Sequence, residues 1–179
     1  MELVLKIVII LTMLQRLYEL RLSKKNEKLL LSESAKIIPE PNYIFMVLLH
    51  TSWILYLIYS AFFTQISTTP IFIYVGLFFF FLGQILRITA IKTLGYRWST
   101  RIVVLPKAPV IQSGIFNKIR HPNYLGVVLE IAFLPIALKL FNAAIIFSVF
   151  NAIILFYRIR LEEKSLNEYN NYFEVFNGK

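Results

Sequence analysis

The chain has no cysteine, which excludes disulfides, thiolate metal sites and cysteine nucleophiles. Charge is scarce too: 16% of its 179 residues are charged and 58% are hydrophobic. That is too apolar for an ordinary soluble domain. Neither a Gly-x-Ser-x-Gly elbow nor a phosphate loop is present, and a Gly-x-Gly-x-x-Gly turn is missing, so a nucleotide-like cofactor would need another kind of pocket. The two histidines, His50 and His121, do not have metal-binding spacing, and no metal is expected. The net charge of +9 comes without any nucleic-acid reader motif. It is read instead as cytoplasmic loops facing anionic lipid, with no nucleic acid as partner.

What is present is a series of hydrophobic runs. Four or five can be drawn, at about residues 3–20, 43–63, 70–91 and 124–157. The first resembles a signal peptide in its opening but has no small-residue cleavage site after it. The second and third are each near the length a bilayer requires. The last is too long for one helix and is interrupted by Pro135, Lys139 and Asn142. Two antiparallel helices joined by a very tight turn are expected there, with a re-entrant pair as the alternative.

Loop charge orients the runs. Residues 16–36, 92–120 and 158–179 hold most of the lysines and arginines, whereas the turn at residues 64–69 is uncharged. Five crossings place the three basic regions on one side, and the positive-inside rule makes that side cytoplasmic. The expected fold is all-α: a single membrane-embedded domain over residues 1–179, with about five transmembrane helices. Leu161, Leu166, Tyr169, Tyr172, Phe173 and Phe176, set among charges, suggest a cytoplasmic C-terminal amphipathic helix lying on the bundle or the membrane surface.

Four features compete for a chemical role. The first is Arg120-His121-Pro122-Asn123-Tyr124-Leu125-Gly126, which opens a hydrophobic run. Pro122 suits the first turn of a helix and leaves His121 near its cap. A basic, aromatic cluster at a helix mouth points to a site, with an interfacial anchor as the plainer reading. The second is Arg158-Ile159-Arg160-Leu161-Glu162-Glu163. There Arg158 and Glu162 could form an i,i+4 pair contributing only a few tenths of a kcal/mol. Arg87, the third, lies in the third run about a turn from its cytoplasmic end, where it either snorkels or functions. Glu130, the fourth, lies roughly 12 Å below the start of its helix and needs a partner, water or a raised pKa. His50 and Trp53, one turn apart in the second run, are weaker candidates; a lone intramembrane His is as often a polar contact between helices as a ligand.

Taken together, Arg-His-Pro-Asn-Tyr-Leu-Gly at 120–126 and the later Arg158, Glu162, Glu163, Leu166, Tyr169 and Tyr172 resemble the isoprenylcysteine carboxyl methyltransferase family. Ser113-Gly114-Ile115-Phe116 resembles that family's small-Gly-Pro-Tyr lead-in, with Ile115 and Phe116 as departures. Arg87, Leu94-Gly95 and Trp98 also match bacterial relatives. The resemblance implies an integral-membrane methyltransferase using S-adenosylmethionine, in a bacterial cell membrane with its active site facing the cytoplasm. His121, Pro122, Tyr124, Gly126, Glu162 and Glu163 would bind the cofactor. Arg158, ahead of Arg160, would orient a substrate oxyanion or the cofactor carboxylate, with Glu130 and Arg87 as further catalytic candidates. Gly126 would permit close backbone approach.

The acceptor is expected to be a lipidic small molecule or a prenylated one, reached from the membrane lipids, with methyl transfer to a carboxylate or acidic enol oxygen. Such an oxygen is ionised near neutral pH and needs no strong general base, so alignment and water exclusion would carry catalysis. Arg16-Leu17-Tyr18-Glu19-Leu20, Ser23, Asn26 and residues 46–51 resemble a bacterial subgroup that includes O-methyltransferases of alkylpyrone lipids. Phospholipid N-methyltransferases, and NADPH-dependent steroid-type membrane reductases with a similar Arg-His-Pro-Asn-Tyr cluster, are the alternatives. The Glu-Glu tail argues against the reductases.

Overall fold

A computed structural model describes residues 2–65 and 68–177. Ile66 and Ser67, in the expected uncharged turn, lie outside the described residues. The elements are α1 (Glu2–Ser32), β1 (Lys36–Ile37), α2 (Tyr43–Phe63), α3 (Pro70–Leu94), β2 (Val103–Val104), α4 (Pro122–Ala137), α5 (Phe141–Asn170) and α6 (Tyr172–Asn177), with short 3-10 turns at Gly95–Arg97 and Gly114–Asn117. The strands pair antiparallel, Lys36 with Val104 and Ile37 with Val103, and pin the loop after α3 to the end of α1.

Among the described residues, three helices are long and apolar enough to cross a membrane: Tyr43–Phe63, the helix and turn spanning Pro70–Arg97, and Phe141–Asn170. The protein is thus an integral membrane protein. Its α4, with 16 residues, reaches only about 24 Å at the standard rise, against roughly 30 Å of hydrocarbon. The tight turn expected within residues 124–157 is present. Pro135 stays inside α4, and the chain reverses at Leu138–Leu140, where Lys139 has φ 59° and Leu140 N–H bonds the Pro135 carbonyl at 2.9 Å.

The expected separate amphipathic tail helix is not what forms. The last span runs on as one helix from Phe141 to Asn170 and ends where Asn171 turns left-handed, leaving only Tyr172–Asn177 as α6. No Gly or Pro interrupts residues 141–170, so nothing ends the hydrogen-bond ladder at the membrane surface. The change at Arg158 from apolar to amphipathic sequence marks a change of environment and not a break.

Helices α3 and α4 pack at very short range because small residues line their seam. A Cβ on Gly76 would meet Ala137 at 2.6 Å, and one on Gly83 would meet the Gly126 carbonyl at 2.8 Å. Close backbone approach of this kind is the usual route to tight helix pairing in lipid. The apolar core comprises Leu5, Ile9, Trp53, Leu57, Phe80, Ile131 and Leu134, while Phe78, Phe81, Ile85, Ile145 and Phe156 face outward as lipid-facing surface.

Candidate active site

Proline sets the geometry at the mouth of α4. His121 precedes Pro122, which keeps it out of the helical region (φ −127°, ψ 62°), while Pro122 opens the helix. The imidazole therefore sits at the helix mouth, its ring stacked on Tyr124 with centroids 5.4 Å apart and planes 14° apart. The adjacent carboxylates of α5 divide between these two side chains. His121 Nε2–H donates to Glu163 Oε1 at 3.0 Å, and the Tyr124 hydroxyl donates to Glu162 Oε2 at 2.6 Å. His121, Glu162 and Glu163 remain 17%, 28% and 20% exposed. The two sequence segments thus meet in one partly exposed cluster.

Arg158 lies one turn earlier on α5 and does not pair with Glu162 as the i,i+4 spacing suggested. Its guanidinium turns to the loops instead, donating Nη1–H to Glu40 Oε2 at 2.6 Å and Nη2–H to the Thr100 carbonyl at 2.6 Å. Nε–H donates to the Tyr124 hydroxyl at 2.9 Å, and Nη1 also approaches Met46 Sδ at 3.3 Å. A carboxylate already desolvated beside the guanidinium outcompetes a half-exposed one on the same helix. One side chain ties α2, α4, α5 and both loops together.

These groups border a cavity of about 420 Å³ that joins two unlike ends. His121, Tyr124, Arg158, Glu162 and Asn170 line its polar end; Met13, Leu17, Val47, Ile54 and Val127 line its apolar one. Phe116, Tyr172 and Phe176 add aromatic wall. Burial, with Glu163 and Glu162 nearby, pushes the Tyr172 hydroxyl above its ordinary pKa and keeps it a neutral donor. At the polar end the Asn123 and Asn170 Oδ1 atoms are buried without a partner among the described residues, as acceptors awaiting a ligand donor would be. Among the described residues, no cluster of three potential ligands could hold a metal ion.

Residues 74–168 match the Isoprenylcysteine carboxyl methyltransferase (ICMT) family. The chain belongs to that family. The match runs through α3, α4 and most of α5, and takes in His121, Tyr124, Arg158, Glu162 and Glu163. A bacterial relative, "Uncharacterized protein YpbQ" of Bacillus subtilis (strain 168), is 31% identical over 165 residues, covering 92% of this chain and 97% of its own length. It extends the likeness to α1 and α2, which lie outside the family match. No solved structure matches the chain. Membership in the ICMT family makes this protein a membrane methyltransferase.

Within that family frame, the residues singled out in the sequence fall into two groups. His121, Pro122, Tyr124, Arg158, Glu162 and Arg87 line the cavity. Gly126, Glu130 and Glu163 do not. Gly126 is packed into the α3–α4 seam: an added Cβ would meet Arg87 Cγ at 2.5 Å and the Gly83 carbonyl at 2.7 Å, so its small size serves that seam. Glu130, 1% exposed, belongs to a buried ionic cluster. Arg87 Nη2 lies 2.5 Å from Glu19 Oε2 and its Nε lies 3.1 Å from Glu130 Oε1, while Arg16 pairs with both Glu19 and Glu130. Gln15 donates to both Glu19 and Gln84. Arg87 therefore does not snorkel; it is 4% exposed and balanced by carboxylates.

Sequence reasoning missed Glu40 and Thr100, and gave Asn26 no role beyond likeness to a bacterial subgroup. Asn26 of α1 donates to the Trp98 carbonyl at 2.7 Å and, with Ser23 on Thr100, holds the loop that caps the cavity. Asn26 and Ser23 sit in a polar stretch where side chains of this kind are ordinary. The one signal at Glu40 was its place between Pro39 and Pro41, which fixes the chain around it.

Proposed function

We propose that this protein transfers a methyl group from S-adenosylmethionine to an oxygen of a lipidic acceptor at the cytoplasmic face of a bacterial membrane. The observation that carries this reading is a cavity that joins a polar mouth, lined by His121, Tyr124, Arg158, Glu162 and Asn170, to a wall of Met13, Leu17, Val47, Ile54 and Val127. Glu162 offers a carboxylate to an ammonium or sulfonium, Asn123 Oδ1 accepts from an amine or ammonium, and Phe116, Tyr172 and Phe176 suit an adenine face. When bound, S-adenosylmethionine supplies an electrophilic methyl group.

The protein's own part is positioning. His121 and Tyr124 hold the two carboxylates apart and aimed, and Arg158 fixes the roof over the cavity through Thr100 and Glu40. One Nη2–H of Arg158 is left over after the bonds described above, and it is available to an acceptor oxyanion. Covering the reacting oxygen with the loop at residues 98–105 excludes water, which favours an oxygen nucleophile. The acceptor, a carboxylate or an acidic enol on a long chain, lies against the apolar wall of α1 and α2.

Labelled S-adenosylmethionine and NADPH, offered to purified protein in lipid nanodiscs, test this directly. Binding of the first and not the second is expected, with label passing to an alkylpyrone or a farnesylcysteine analogue. NADPH binding alone overturns the reading in favour of a reductase. Label found only on phosphatidylethanolamine overturns oxygen as the acceptor atom.

A further inference from the structure

His50 is left unused by the cluster at the mouth of α4. It sits on α2 about 10 Å below the start of the helix, on the wall of the same cavity, between Met46 and Ile54. Its Nδ1 lies 2.8 Å from the Met46 carbonyl. A carbonyl can only accept, so Nδ1 carries the proton. In the neutral ring Nε2 is then a bare lone pair, and no group among the described residues pairs with it. Met46, one turn above, touches Arg158, so His50 stands at the join between the polar end and the apolar wall.

We infer that His50 Nε2 receives the O–H of an un-ionised long-chain hydroxyl acceptor, a phenol or a weakly acidic enol, and takes its proton as the methyl group is transferred. This rests on the methyl-transfer reading above and sets a hydroxyl that arrives with its proton in place of an already ionised oxygen. A carboxylate arrives without a donor and meets the lone pair with its own, whereas a hydroxyl completes the bond. The charged groups lining this part of the cavity are Arg16 and Glu19 from α1, Arg87 from α3 and Arg158 from α5, and Glu130 of α4 answers Arg16 and Arg87 from behind.

The step balances. The acceptor O–H bond breaks and its proton goes to His50 Nε2. The oxygen's electron pair forms the new O–CH₃ bond, and the C–S bond breaks with its pair left on sulfur. One positive charge is lost from the sulfonium as one arrives on the imidazole, so the net charge of the cavity is unchanged. The proton returns to water when product leaves.

The test uses the full chain in nanodiscs, loaded with S-adenosylhomocysteine, and reads binding of an alkyl nitrophenol by absorbance against an alkyl carboxylate of equal length. His50→Leu is expected to weaken the un-ionised nitrophenol by about 3- to 10-fold, the worth of one hydrogen bond, and to leave the carboxylate unchanged or tighter. His50→Gln, whose amide can still bond Met46 and present an oxygen, is expected to bind the hydroxyl within about 3-fold of wild type, a smaller loss than that of a whole hydrogen bond. Its methyl transfer should nevertheless be slow, because an amide takes up no proton at neutral pH. Equal losses for both ligands in His50→Leu, or full methyl-transfer rate in His50→Gln, overturn the inference. Absence of S-adenosylhomocysteine binding in the wild type would instead overturn the methyl-transfer reading on which it rests.

Discussion

Two groups of charges in this protein look alike in sequence and differ in what they can do. The cluster of Arg16, Glu19, Arg87 and Glu130 holds two cations and two anions, with side chains from 1% to 20% exposed, each answered by another. The cluster at His121, Glu162 and Glu163 is partly exposed, brings His121 and Glu162 to the cavity wall, and is held by neutral partners as much as by charged ones. A mutually paired neutral set joins helices α1, α3 and α4. A partly exposed set keeps polar groups within reach of a ligand. An ionisable residue in an apolar run is thus a reason to look for function, and its balance of partners decides the answer.

The largest effect that could break this comparison comes from the closed cluster. Removing one member leaves a buried uncompensated charge, so Glu130→Ala or Arg87→Ala is expected to cost about 3–5 kcal/mol. Thermal unfolding in detergent or nanodiscs measures it. The paired change Arg87→Met with Glu130→Leu should recover much of that loss, because no charge is then stranded. A folded Glu130→Ala protein with native melting and no methyl transfer would move Glu130 from the scaffold to the chemistry.

At the open cluster the order of effects reverses. Glu162→Ala and His121→Ala are expected to leave melting nearly unchanged and to weaken S-adenosylmethionine binding by roughly 10- to 100-fold, or about 1.5–3 kcal/mol for a lost charge-assisted contact. Equilibrium binding with labelled cofactor checks this. Unchanged affinity in both variants would mean that the carboxylates merely tie α5 to α4.

The seam between the two clusters gives a smaller effect. Gly126→Ala forces its Cβ against Arg87 and the Gly83 carbonyl, so overpacking is expected to cost about 1–3 kcal/mol. Melting should fall while cofactor affinity per folded molecule stays the same. Loss of affinity without loss of stability would restore the reading of Gly126 as a surface for the cofactor.

How much of this was legible in the sequence depends on how local each signal is. Pro122 at the first turn of α4, the tight turn after Pro135 and the carboxylate pair on α5 are written in neighbouring residues, and all three are found. Glu40 and Arg158 are 118 positions apart and Asn26 and Trp98 are 72 apart; no periodicity announces such partners. The tail was misread for a different reason. A change in hydrophobic pattern is the same whether a helix ends or simply leaves the bilayer, and only a breaker residue could have told the two apart. Gly126 was placed on the correct helix, but a glycine's neighbours are set by the opposing helix, which its own sequence does not contain.

The finest test sets Arg158 beside Arg160, two residues along α5 and therefore on different faces. Arg158 is 8% exposed and lines the cavity. Arg160 is exposed and lies over the Phe156 ring at 4.1 Å, one turn back on the same helix. Losing that contact is expected to cost at most about 0.5–1 kcal/mol, the worth of an exposed cation–π pair. Arg160→Ala should therefore bind cofactor and transfer methyl groups as the wild type does. Arg158→Lys keeps the charge but cannot reach Glu40, Thr100 and Tyr124 with one planar fork, so its methyl-transfer rate should be only partly retained. Single-turnover rates at saturating cofactor separate the two variants. A larger loss of rate in Arg160→Ala than in Arg158→Lys would place the active arginine on the other face of α5, and the open cluster would have to be redrawn around it.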